Sequence, residues 1–245
     1  MSDPYFYIDA PVFRNRLGTK DKTTLNRIEA ELSRANMMLL YEKGFEDFSP
    51  AGLCEIHFAL FGNLYDWAGQ YRHISLEKPE QLLCGRSVWY SRENDISEDL
   101  KVAFSRLLCV PWAELNREQF VYEMARMFPP IWQVHPFREG NTQSILMMMM
   151  FFAEHYGYSV DQTLLVSNAG SIRDALVMAS LDQFSECEHL EQLLLDIVRS
   201  TLIEGSGKSL SHAPDLPEKR NGHLKDKTMF THDNKNERSK APNPV

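Results

Sequence analysis

The chain has 245 residues, 43% hydrophobic and 24% charged, which is enough apolar material for one sizeable core at ordinary soluble composition. With 26 Lys or Arg against 34 Asp or Glu, the net charge is −8 and the isoelectric point about 5.5, which argues against a nucleic-acid binder whose affinity rests on counterion release. Cys54, Cys84, Cys109 and Cys187 show no CxxC pair or zinc-site spacing, and the longest apolar run, 145–153, falls far short of the roughly 20 residues that cross a bilayer, so a disulfide framework, a structural metal and a membrane span are not expected.

In chain order, the first predicted helix covers 24–42, with Gly44 beyond its end. Ser49-Pro50, a capping residue followed by a first-turn proline, opens a second, whose Leu53, Ile56 and Leu60 recur on one face. The one β signal lies between 72 and 90, where Ile74, Leu76, Leu82 and Leu83 flank Lys78-Pro79-Glu80 and a short exposed hairpin is predicted. A helix from near Arg92 buries Leu100, Phe104, Leu107 and Leu108. Asn116 and Gln119 form a capping-box pattern for the next, which Pro129-Pro130 is expected to end or kink. Residues 141–155 are apolar on every side through Ile145, Leu146, Met147 to Met150, Phe151 and Phe152, which predicts a central helix surrounded by others. Helices near 171–181 and 188–204 complete an all-α body. Residues 206–245 carry eight Lys or Arg against five Asp or Glu and few large apolar side chains, so a disordered polar tail is expected there.

His135-Pro136-Phe137-Arg138-Glu139-Gly140-Asn141-Thr142 stands immediately before the central helix. An uncapped helix start presents free N–H groups and the positive end of the helix dipole, so Gly140-Asn141 marks an anion site suited to phosphate. Glu139 is placed to hold a divalent cation against the same phosphates, because Mg2+ is commonly shared between a carboxylate and the substrate. His135 is placed to take a proton from a hydroxyl. Each residue alone is weak; the joint arrangement at the start of a fully apolar helix is the informative signal.

At these residues the chain resembles the Fic family, whose signature runs His-x-Phe-x-Asp/Glu-Gly-Asn, then Gly, Lys or Thr, then Arg: His135, Phe137, Glu139, Gly140, Asn141 and Thr142 match as they stand. Ile56-His57 through Leu60-Phe61 and the string Tyr65-Asp66-Trp67-Ala68-Gly69-Gln70-Tyr71-Arg72 are similar to the segment that leads into the family's target-docking hairpin, or flap. The resemblance covers roughly 45–200. It implies an all-α helical bundle with a short β-hairpin flap, a Fic domain with an N-terminal extension over 1–205, and AMP transfer from ATP to a Tyr, Thr or Ser hydroxyl of a target protein. By the same resemblance His135 is the general base, Glu139 holds Mg2+, and Gly140, Asn141, Thr142 and position 143 serve the phosphates. Phe137 would be buried, and a target protein would dock along the flap, about 74–90, by strand addition. No nucleic-acid or membrane partner is expected, and a cytoplasmic setting is, with delivery into another cell left open.

Two positions depart from the signature. Gln143 stands where the family has Arg, and Leu146 where many members have a second Arg, so the cationic grip on the polyphosphate is missing. Three consequences stay open: a catalytically weakened binding module, an enzyme moving a different phosphate-containing group, or cover of the phosphates by another basic residue such as Arg138 or Arg173. Ser200-Thr201-Leu202-Ile203-Glu204-Gly205 matches the family's inhibitory string, which also raises an inhibitory partner, although Glu204-Gly205 is equally an ordinary helix end. His57 is expected to be a packed structural histidine. Trp67 and Tyr71 are expected under the flap, and Arg72 either anchors the flap through a carboxylate such as Asp66 or is solvated.

Overall fold

The computed structural model describes residues 3–181 and 185–200. Both the tail expected at 206–245 and residues 201–205 of the candidate inhibitory string lie outside these. The chain opens with a two-stranded antiparallel pair, β1 (Phe6–Tyr7) and β2 (Ala10–Phe13), which the sequence pattern does not announce. Helix α1 (Lys22–Lys43) starts at Asp21, whose carboxylate accepts the N–H of Thr24, and ends at Gly44. Helix α2 (Pro50–Phe61) starts at Ser49 as expected, with its hydroxyl accepting the N–H of Gly52.

Residues 73–91, where a hairpin was expected, form an irregular loop with one 3-10 turn, Gln81–Leu83, and no strand. Its main-chain bonds, such as Glu80 N–H to Arg86 O at 3.0 Å, are local, and its charged side chains reach out to other elements instead of facing each other across a ladder. Helix α3 (Ile96–Cys109) buries Leu100, Phe104 and Leu107, while Leu108, expected inside, is exposed.

Helix α4 (Arg117–Val134) carries the expected capping box between Asn116 and Gln119. It runs through Pro129 and Pro130 to Val134, because Phe128, Ile131, Trp132 and Val134 bury the face that continues past them. Helix α5 (Asn141–His155) follows after six residues, and every residue from Ser144 to Ala153 is buried. It packs between α2 and α4, and the four consecutive methionines fill that core.

After α5 come β3 (Tyr158–Val160), α6 (Gln162–Ser167), α7 (Ala169–Met178) and α8 (Glu188–Ile197). The last helix is shorter than expected: Val198–Ser200 is strand β4, paired antiparallel with β3 in the register Val160 to Val198. Among the described residues the result is a mainly helical architecture with two small antiparallel strand pairs. Its core places the α4–α5 junction where α2 and the 73–91 loop meet it.

Candidate active site

The junction between α4 and α5 is shaped residue by residue. His135 ends α4 in the left-handed region at φ 51° and ψ 57°, which is uncommon for a residue with a Cβ, and its N–H bonds to Trp132 O at 3.0 Å. Arg72 over-determines that conformation. Only 1% exposed, it donates from Nε to His135 O at 2.8 Å, from Nη1 to Ile74 O at 2.6 Å, and from Nη2 to Ser91 O and Val134 O, while its main-chain N–H donates to Pro136 O. The guanidinium thus ties both ends of the 73–91 loop to the backbone of His135, through carbonyls and not through Asp66, which pairs with Arg16 instead. A planar fork of five donors suits this role; a single ammonium would not.

Phe137 is fully buried, and its main chain is clasped by Asn141, whose Oδ1 accepts the Phe137 N–H at 2.9 Å and whose Nδ2 donates to Phe137 O at 2.8 Å. The Asn141 side chain is therefore occupied in shaping the loop, and only its main-chain N–H is left to face a ligand. Gly140 sits at φ 81°, and a Cβ there would lie 2.4 Å from Phe61 Cε2, so both backbone and space require glycine. No side chain caps α5, so the N–H groups of Asn141, Thr142 and Gln143 have no intrahelical partner. Thr142 Oγ1 accepts the indole N–H of Trp132 at 3.1 Å, and Gln143 is half-buried at the same helix start.

The imidazole of His135 is 4% exposed, and neither ring nitrogen has a hydrogen-bond partner. Tyr90 stacks over it with ring centroids 4.1 Å apart, and Trp132 meets it edge-on. Burial, followed by the positive charges of Lys78 and Arg72, holds the ring well below the usual histidine range, so it is neutral with a free lone pair. Glu139 lies four residues on. Its carboxylate receives Lys78 Nζ from the loop at 3.2 Å on each oxygen, while His57 supports its main-chain carbonyl. Beside it, a cavity of about 370 Å³ lies between β2, α1 and the junction, with Phe13, Leu25, Glu29 and Arg138 among its walls.

The sequence reading brings His135, Glu139, Gly140, Asn141, Thr142 and Gln143 to one place, and the fold does the same. It does not assign the two basic residues offered as phosphate cover. Arg138 is held by Asp3 at 2.7 and 2.9 Å and stacked on Phe13, and Arg173 donates to both oxygens of buried Glu80 at 2.7 Å. Trp67 packs against Tyr65, Tyr5 and Phe13. Lys78, Glu80 and Tyr90 were missed as site residues. The only hint was a charged Lys-Pro-Glu triplet, which reads as a turn.

The Fic/DOC family model matches residues 47–153, the span from just before α2 to the end of the α5 core. A protein adenylyltransferase of Bartonella henselae is 27% identical over 208 residues, 79% of this chain and 37% of that protein. A probable protein adenylyltransferase Fic of Salmonella typhimurium is 28% identical over 158 residues, 64% of this chain and 76% of the relative. The chain is similar to Fic-domain proteins. Its fold matches two solved structures: the BepC protein of Bartonella tribocorum with bound AMPPNP (TM-score 0.68, 21% identity, 80% of this chain and 97% of that one), and the N-terminal Fic domain of a putative cell filamentation protein from Bartonella quintana with bound ADP (0.69, 23%, 81% and 95%). The chain spans little more than a third of the Bartonella henselae relative's length. Among the described residues, no helix is long and apolar enough to cross a membrane, and no three His, Cys, Asp or Glu side chains cluster as a metal site.

Proposed function

We propose that this protein is a Fic-domain adenylyltransferase that moves AMP from ATP to a Tyr, Thr or Ser hydroxyl of a target protein. The observation that carries the reading is the neutral, unpartnered imidazole of His135 set four residues before Glu139 and an uncapped helix start. Curated relatives named protein adenylyltransferases support the same reaction class.

His135 takes the proton of the target hydroxyl as its oxygen attacks the α-phosphorus of ATP. A bond forms between that oxygen and the α-phosphorus, the bridging bond to the β-phosphate breaks, and pyrophosphate leaves. The first-turn N–H groups of Asn141, Thr142 and Gln143, with the helix dipole behind them, stabilise the charge that develops on the phosphate oxygens. Tyr90 covers the imidazole, so the hydroxyl reaches it only when that ring turns aside. The target docks along the 73–91 loop, whose two ends Arg72 fixes beside His135.

Glu139 fits Mg2+ as a nucleotide-borne cation: its two oxygens already face a positive group, and one carboxylate plus substrate phosphates is an ordinary Mg2+ set. When bound, Mg2+ neutralises and polarises the phosphates. A reaction that uses ATP is compatible with a cytoplasmic setting, and the Bartonella neighbours are named as VirB-translocated effectors.

A second reading, a nucleotide- or peptide-binding module without turnover, is favoured by the uncharged Gln143 in the first turn of α5. ATP labelled on the α- or the γ-phosphate separates the readings. AMP transfer leaves the α-label, and not the γ-label, on protein. Binding of ATP with neither label transferred, across a proteome of targets, supports the module instead.

A further inference from the structure

Phosphates at the start of α5 need more positive charge than the helix supplies, since a helix end is worth about half an elementary charge. Four side-chain positions near the junction are relevant. Arg72 gives its donors to main-chain carbonyls. Arg138 is bound by Asp3 at 2.7 Å and packed on Phe13, with Nη1 a further 3.9 Å from Glu139 Oε2, and Arg173 is neutralised by Glu80, itself almost fully buried. Position 143 in the first turn is Gln, without charge.

Lys78 differs from all of these. Among the described residues its one anionic partner is Glu139, the carboxylate that the reading above assigns to the divalent cation, and the ammonium touches both oxygens at 3.2 Å. It therefore stands on the carboxylate oxygens that such a cation would use. A divalent cation held by Glu139 would need the two oxygens that Lys78 now contacts, so the ammonium would have to leave them. The displaced side chain stays in the site, because the loop around it is fastened: Lys78 N–H donates to Ser87 Oγ at 3.0 Å, Glu80 N–H donates to Arg86 O at 3.0 Å, and the Glu80 carboxylate is gripped by Arg173. Phosphate oxygens brought to Glu139 would then lie within reach of the freed charge.

We infer that Lys78 is a phosphate-binding residue of the nucleotide site, delivered by the 73–91 loop, and that it supplies the side-chain cation missing from the first turn of α5. The inference rests on the nucleotide-binding reading above. It is distinct from a role for Lys78 as a simple counter-charge on Glu139, which would end when the cation arrives.

Calorimetric titration of the full chain in the presence of Mg2+ tests it, with ATP and adenosine as probes and Lys78→Met, Lys78→Gln and Lys78→Arg as variants of checked melting temperature. Loss of a charged hydrogen bond predicts roughly tenfold to hundredfold weaker ATP binding in the Met and Gln variants. Adenosine, which has no phosphate, should bind all four proteins equally, and Lys78→Arg should keep most of the ATP affinity. ATP binding as tight as or tighter than the parent's in the Met and Gln variants would show that Lys78 only masks Glu139, and would overturn the inference while leaving the transferase reading intact. Equal loss of adenosine and ATP would overturn it as well, as a general collapse of the loop. A parent chain that binds adenosine but not ATP would overturn both.

Discussion

The imidazole of His57 on α2 donates from Nε2 to the main-chain oxygen of Glu139 at 2.9 Å and accepts the N–H of Gly69 at Nδ1 at 2.8 Å. The two bonds fix one neutral tautomer, and the ring stacks on Phe137 at 3.8 Å. A residue 82 positions earlier in the chain thus holds the backbone of the loop that carries the candidate chemistry.

Burial holds His57 down to about 4, against about 6.5 for an ordinary histidine, and the bond to Glu139 only partly opposes this. Between those values the unfolded chain binds a proton that the folded chain does not. Stability is therefore intact above pH 6.5 and is lost as pH falls towards 4, by on the order of 3 kcal/mol from this group. Urea titrations from pH 4 to 7 should show a shallower fall for His57→Gln than for the parent. Parallel curves would assign the acid sensitivity to other groups.

Gly140→Ala places a Cβ against Phe61 in a left-handed backbone, combining conformational strain with overpacking. A loss of about 2–4 kcal/mol is expected from the two effects. Adding Phe61→Leu should recover part of it, since the clash is with the ring. Thermal denaturation of the two single variants and the double variant measures that coupling, and strict additivity would place the strain elsewhere.

Arg72→Lys keeps the charge but cannot reach four carbonyls at once, leaving buried acceptors without donors. About 3 kcal/mol or more of stability should go. The loss should be local first: hydrogen exchange over 73–91 and around His135 is expected to rise more than in the α5 core. Uniform change across the domain would mean that Arg72 stabilises the whole fold and does not specifically hold the loop.

Gln143→Arg adds a cation to the first turn of α5, beside the free N–H groups. ATP affinity should rise by about tenfold, the worth of one charged hydrogen bond. Calorimetry with adenosine as the phosphate-free control reads this directly. An unchanged ATP affinity would indicate that position 143 does not face the phosphates.

Local patterning made much of this molecule legible. Helix α5 coincides with the predicted 141–155 because its apolar surface runs all round and a glycine in a left-handed turn precedes it. The caps at Ser49 and Asn116 were visible for the same reason: a side chain bonding two or three residues on is a short-range event. What failed was long-range. Residues 198–200 carry the end of a helical pattern, yet pairing with β3 converts them to strand. Leu76, Leu82 and their neighbours suggested a hairpin, but Lys78 and Glu80 find partners on α5's loop and α7, which no period reveals. Arg72 invited a carboxylate partner by charge alone, and only the folded backbone shows the carbonyls that converge on it.

The reading of His135 as general base is tested most directly by intact-mass spectrometry after incubation with Mg2+ and ATP, alone and with a proteome of targets, comparing the parent with His135→Asn. Asparagine tolerates the left-handed backbone at position 135 while removing the base, so the fold should persist. A gain of one AMP per modified protein, present with the parent and lost in His135→Asn at unchanged ATP affinity, is the predicted result. An AMP adduct that survives the substitution, or none from a parent that binds ATP, would contradict it.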